Sequence, residues 1–195
     1  MGAAVIVAAL VAVVVTSGGG TVGEPSPAGS VTIARDAGPP LAPGETIPGW
    51  SAPALDGSGT LRWSDFLGGP IVLTIWAPWC PHCQAELPRL VETMRTHPDI
   101  TLVTISTAVE QSTAFTSAGY LEGEGLTFPV AVDDAALTLH GGLGVGGFPS
   151  TYFVTADGTV IQHVEGEIGL RSDGSVDPSV LEGMLVALED ASPQD

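Results

Sequence analysis

Two cysteines occur in 195 residues, and both lie in Trp79-Cys80-Pro81-His82-Cys83. Two thiols at that spacing can alternate between dithiol and disulfide, and the attacking species in such exchange is a thiolate. Pro81 occupies the place of a first helical residue, which makes Cys80 a helix N-cap. A helix N-terminus offers a thiolate up to about 2 kcal/mol in partly buried geometry. His82, when protonated within about 4 Å, offers roughly 4 kcal/mol at an effective dielectric of 20. His82 is therefore the larger lever, provided it carries its proton. Stabilising the thiolate stabilises the reduced pair, so Pro-His between the cysteines points towards a disulfide donor. Cys83, one turn further in, is expected to be buried and protonated and to act as the resolving sulfur. Glu86 follows Cys83 by three residues and lies about 9 Å along the axis from Cys80. A carboxylate there either raises the Cys83 pKa or carries its proton, unless it is simply a surface residue.

The surrounding chain must supply a helix start at Cys80. Ile71 to Trp76 is an almost continuous apolar, β-branched run, as expected of a central strand covered on both faces. The helix that follows runs to about Arg95, with Leu87, Leu90, Val91 and Met94 on one face and Pro88 as an internal kink. Ile100 to Ser106 reads as a second parallel strand, Glu110 to Gly119 as a weaker helix, and Glu122 to Gly125 as a turn. Phe128 to Val132 reads as a strand and Asp133 to His140 as a short helix. Gly141 to Gly147 holds five glycines and reads as a loop with unusual backbone angles. Ser150 to Thr155 and Thr159 to Val164 form a hairpin, and Asp177-Pro178 opens a final amphipathic helix ending near Asp190. Upstream, Ser51 to Leu55 and Thr60 to Trp63 form a short hairpin around Asp56-Gly57, followed by one helical turn over Ser64 to Leu67. A Cys-x-x-Cys beside a βαβ pattern, without a second cysteine pair, is the signal for a thioredoxin-like redox motif.

Phe148-Pro149 stands just before a strand, where a cis bond would halt pairing and leave an edge for an extended peptide. Trp76 to Cys83, with Asp56-Gly57 and Trp63 to Phe66 upstream, resembles the extracytoplasmic thioredoxin-like family of TlpA, ResA and DsbE. Gly146 to Phe153 and Asp157-Gly158 extend the resemblance, which covers residues 47–169. It implies an exported or membrane-tethered thiol-disulfide oxidoreductase with Cys80 attacking, Cys83 resolving, Pro149 cis and Glu86 at the family's active-site glutamate. Thioredoxin's buried acid would fall at Thr74, leaving Glu86 as the remaining proton acceptor. Family members serving cytochrome c maturation usually carry another pair between the cysteines, whereas Pro-His resembles the oxidising DsbA motif. The resemblance also gives Trp79 the rim of the site, so Trp79, Pro81, Phe148 and Pro149 are the expected substrate-facing residues.

The expected fold is α/β and thioredoxin-like: a central mixed sheet, helices on both faces and an N-terminal hairpin extension. Residues 1–16 read as a signal peptide or membrane anchor, because Ala3 to Val15 are thirteen consecutive apolar residues. Residues 17–46 read as a flexible Gly/Pro/Ser-rich linker, 47–190 as the domain and 191–195 as a tail. Five basic residues, all Arg, against 22 acidic ones give a formal charge of −17, which disfavours nucleic acid and anionic membrane surfaces.

Zinc needs about four ligands, and His82, His97, His140 and His163 are scattered, so no metal is expected. A purely structural disulfide across so small a loop contributes only about 2 kcal/mol. The peroxidatic pattern P-x-x-x-T-x-x-C fails, since Leu73 and Ala77 occupy its Pro and Thr places. No cofactor beyond a redox-active Cys80-Cys83 disulfide is expected. The expected partners are protein thiols or disulfides and a membrane redox partner, met by a monomer in the bacterial cell envelope. The leading reading is a dithiol oxidase. The others are a disulfide reductase in cytochrome c maturation and a non-catalytic binding module.

Overall fold

The computed structural model describes residues 29–112 and 114–192. The expected signal or anchor segment and the last three residues of the tail lie outside these.

Every residue of β4, Ile71–Trp76, is buried. Ile71, Leu73 and Ile75 join one apolar core and Val72 joins another, the period-2 alternation of a strand covered on both faces. β4 runs parallel to β5 (Thr101–Ser106) and antiparallel to β7 (Ser150–Val154). With β6 (Val130–Val132) and β8 (Val160–Glu165) the sheet order is β6-β5-β4-β7-β8, so the cysteine pair follows the middle strand. Helices α1 (Pro81–Met94) and α4 (Pro178–Ala191) pack Leu90, Leu181, Leu185 and Leu188 against Val72 and Phe153. The opposite face is covered by α3 (Thr138–Leu143) and by a small antiparallel sheet of β1 (Thr32–Ile33), β2 (Trp50–Pro53) and β3 (Thr60–Arg62). Among the described residues no helix is long and apolar enough to cross a membrane.

Several boundaries differ from expectation, each for a local reason. Residues 29–46, expected within a flexible linker, are packed on the domain. Leu41 is buried and its N–H donates to the Tyr152 hydroxyl, while Arg35 donates to the Gly142 and Pro39 carbonyls at 2.9 Å. Tyr152 and Gly142 lie about a hundred residues away, where local composition cannot reveal them. The helix expected over Glu110 to Gly119 is replaced by a 3-10 turn at Val109–Gln111 and by α2 at Ser117–Glu124. Thr116 is the N-cap, accepting from Gly119 N–H at 3.0 Å, and Gly125 ends the helix at φ +65°. The expected Gly-rich turn at 122–125 is therefore mostly helix.

The helix expected over Asp133 to His140 starts later, because Asp133 turns inward and accepts from Leu139 and His140 N–H at 2.8 and 2.9 Å. The expected glycine loop 141–147 starts inside that helix. Gly141 and Gly142 sit in α3, and a Cβ on Gly142 would fall 2.7 Å from Ile33, so their small size admits the N-terminal segment. In that run only Gly144 has a left-handed φ.

Candidate active site

β4 ends at Trp76, and Ala77 O accepts Cys80 N–H at 3.1 Å, turning the chain sharply into α1. Cys80 is the N-cap: its backbone is extended, and its Sγ accepts Cys83 N–H at 3.3 Å. Pro81 takes the first helical position, where a missing N–H costs nothing. Both cysteines are free thiols, Cys80 with 5% of its surface exposed and Cys83 with none. Burial, reinforced by the Cys80 sulfur and more weakly by Glu86, pushes the Cys83 thiol far up, so it holds its proton. An outer attacking sulfur and an inner protonated one are the division of labour that exchange requires.

The cis-proline loop faces the outer sulfur. The Phe148–Pro149 bond is cis, and the Cys80 thiol points at Phe148 O, 3.8 Å away. Trp79 donates from Nε1 to Ala108 O at 2.8 Å and meets Phe148 edge-on at 5.9 Å. His140 meets the same ring at 5.5 Å. Trp79, Phe148 and Pro149 thus come together around Cys80, with Ala108 fixing the indole.

Glu86 is wholly buried rather than a surface residue. Its Oε2 accepts Ile168 N–H at 2.6 Å and its Oε1 accepts the Thr151 hydroxyl at 3.4 Å, with Thr74 next in line at 3.2 Å. Burial pushes its pKa up to about 7, against the Ile168 N–H, the Arg89 charge and Thr151, which pull it down. Glu86, with its pKa raised to near neutrality, also acts electrostatically on Cys83.

His82 is placed differently from the expectation. Its side chain is 59% exposed, and Nδ1 lies 3.1 Å from Glu167 Oε2. The imidazole expected to serve Cys80 therefore faces a carboxylate instead. Glu167 Oε1 and Glu86 Oε2 each lie 3.6 Å from the Arg89 guanidinium. Sequence reasoning missed Glu167, Arg89 and Thr151. Arg89, at i+3 from Glu86 on a helix, was detectable by spacing; Glu167, 85 residues from His82, had no sequence signal.

His97 lies at the far end of α1 and His163 stacks on Tyr152 at 4.1 Å. Among the described residues no group of three or more His, Cys, Asp or Glu side chains is placed to hold a metal ion. A cavity of about 720 Å³, lined by Leu55, Leu61, Leu121 and Phe128 among others, includes neither cysteine.

A sulfur that caps a helix, backed by a buried protonated partner, exchanges electrons with other thiols through a mixed disulfide. On a central mixed sheet of this order, it defines a thioredoxin-fold thiol-disulfide oxidoreductase. Residues 43–163 match the AhpC/TSA family, and the chain belongs to it. It is similar to the thiol-disulfide oxidoreductase ResA of Bacillus thuringiensis (strain Al Hakam), 27% identical over 64% of this chain and 70% of that protein. It is similar too to the thiol:disulfide interchange protein DsbE of Pseudomonas aeruginosa, 27% identical over 64% and 67%. Among solved structures it resembles a secreted Mycobacterium tuberculosis disulfide oxidoreductase homologous to E. coli DsbE. That likeness has TM-score 0.57 and 27% identity, covering 70% of this chain and 94% of the other.

Proposed function

We propose that this protein is an extracytoplasmic oxidoreductase that donates a Cys80-Cys83 disulfide to protein thiols. The observation that carries the reading is the Cys80 sulfur at the N-cap of α1, accepting Cys83 N–H and facing the Phe148 carbonyl of the Phe148-cis-Pro149 bond. A substrate thiolate attacks Cys80 Sγ, the Cys80–Cys83 bond breaks, and Cys83 leaves as a thiolate that takes up a proton, with Glu86 as the nearby source. The second substrate thiol loses its proton and attacks the substrate sulfur of the mixed disulfide. Cys80 is released as a thiolate, and two electrons have passed from substrate to protein. A membrane redox partner then restores the disulfide. The apolar run Ala3 to Val15 and the secreted M. tuberculosis relative support a location outside the cytoplasm. No further cofactor is required.

A second reading is favoured by the Glu167 carboxylate beside His82, which offsets the charge that makes a disulfide oxidising. It is the same exchange in reverse, with Cys80 reducing a substrate disulfide in cytochrome c maturation or a similar pathway. The equilibrium of the pair with glutathione separates the two. A potential near about −120 mV supports the donor and one near about −270 mV the reductase. Cys80→Ser is expected to abolish exchange. If neither the parent nor C80S exchanges disulfides, the chain is a binding module on this fold.

A further inference from the structure

We propose that Glu167 is a positioning residue that sets how readily the Cys80-Cys83 pair is reduced, by fixing one negative charge between His82 and Arg89. The inference deepens the oxidoreductase reading and rests on it.

Glu167 lies between β8 and α4, in a segment that touches the site with three consecutive residues. Gly166 N–H donates to Pro149 O at 2.7 Å. The Glu167 carboxylate reaches His82 at 3.1 Å and Arg89 at 3.6 Å. Ile168 N–H donates to the buried Glu86 at 2.6 Å. The carboxylate is thus held by its two neighbours' backbones, one tied to the cis-proline and one to the active-site acid. Only 9% of its side chain is exposed.

The rest of the loop is closed on itself. Asp177 N–H bonds Gly169 O at 2.9 Å, Arg171 pairs with Asp177 at 2.6 Å, and Leu170 bridges Val176. Ile168 is buried against the α1 and α4 core. Surface ion pairs usually contribute little because two mobile side chains must be ordered. Here the fold has already ordered the carboxylate.

Its position has an electrostatic consequence. Reduction places negative charge at Cys80, whereas the disulfide carries none, so nearby charge acts on the reduced form alone. Arg89, and His82 when protonated, favour that form; Glu167, between them, opposes it. Arg89 Nε and Nη2 are buried without a hydrogen-bond partner, so its side chain answers to the two carboxylates by charge rather than by directed bonds. Removing the Glu167 charge makes the site's net charge more positive.

The test is the equilibrium constant of the full chain with reduced and oxidised glutathione, in which two glutathione thiols reduce the pair and leave as one disulfide. Glu167→Gln is expected to shift that constant about tenfold towards the reduced pair, equivalent to about 30 mV. Glu167→Asp, which keeps the charge, is expected to stay within about twofold of the parent. Glu167→Ser provides a second charge-removing variant should E167Q not fold. A folded E167Q or E167S with an unchanged constant, or a shift of E167D equal to theirs, overturns the proposal and leaves the oxidoreductase reading intact. A parent that exchanges with glutathione not at all overturns both.

Discussion

At the scale of single residues the proposed exchange rests on two buried groups with opposite duties. Cys83 is buried so that it stays protonated, and Glu86 is buried so that it titrates near neutrality rather than in the usual carboxylate range. The folded-state pKa of Glu86 lies above its unfolded value of 4.5, so its contribution is fully present below about pH 4.5. That contribution is lost as pH rises through about 7, on the order of 3 kcal/mol. Glu86→Gln keeps an acceptor for Ile168 N–H and carries no charge. It is expected to gain stability relative to the parent between pH 4 and 8, read by denaturant unfolding at each pH. The same variant is expected to lose the step near pH 7 in the rate at which Cys83 is released from the disulfide, measured by stopped-flow exchange. A parent profile retained unchanged in E86Q would show that Cys83 takes its proton elsewhere.

Among the elements, α1 carries the chemistry at its start and is secured at two points further along. Pro88 has no N–H to give the Gln84 carbonyl, and the Tyr120 hydroxyl from α2 donates to it instead at 2.9 Å. The break in the helix ladder expected from the sequence thus becomes a contact between helices. Tyr120→Phe leaves that carbonyl without this donor and is expected to cost about 1 kcal/mol, with exchange unaffected. Beyond its C-terminus, His97 lies between Glu189 and Glu182 of α4 at 2.8 and 3.3 Å. Burial alone would lower its pKa, but the two carboxylates overcome this and raise it. The pair's contribution is therefore fully present below the ordinary histidine range and is lost as pH rises through the raised value. His97→Ala is expected to destabilise the protein more at pH 5.5 than at pH 9; an equal loss at both would mean that packing, not charge, joins α1 to α4.

For the molecule as a whole, residues 29–46 are a layer of the fold rather than a tether. Leu41, Ile33 and Arg35 close one face of the sheet, and Gly144 approaches the Pro39 backbone too closely for any Cβ. A chain beginning at Thr46 is expected to unfold at clearly lower denaturant than the full chain, because it uncovers Tyr152 and α3. Equal midpoints would restore the linker interpretation. The same contrast shows what was legible beforehand. The central strand, the Cys80 N-cap, the last hairpin and the Asp177-Pro178 helix start are written in local signals: apolar runs, caps and proline positions. The boundaries of α2 and α3 were not, because Thr116 and Asp133 chose them through hydrogen bonds that periodicity does not record.

By itself the sequence determined the chemistry, since two cysteines at one spacing, after one buried strand, admit little besides thiol-disulfide exchange. Tertiary structure decided the electrostatics around them. Whether Glu86 is buried, whether His82 acts alone and which carboxylate answers it depend on residues up to 85 positions apart. Charges act through space and burial, and a linear order of residues specifies neither until the chain has folded.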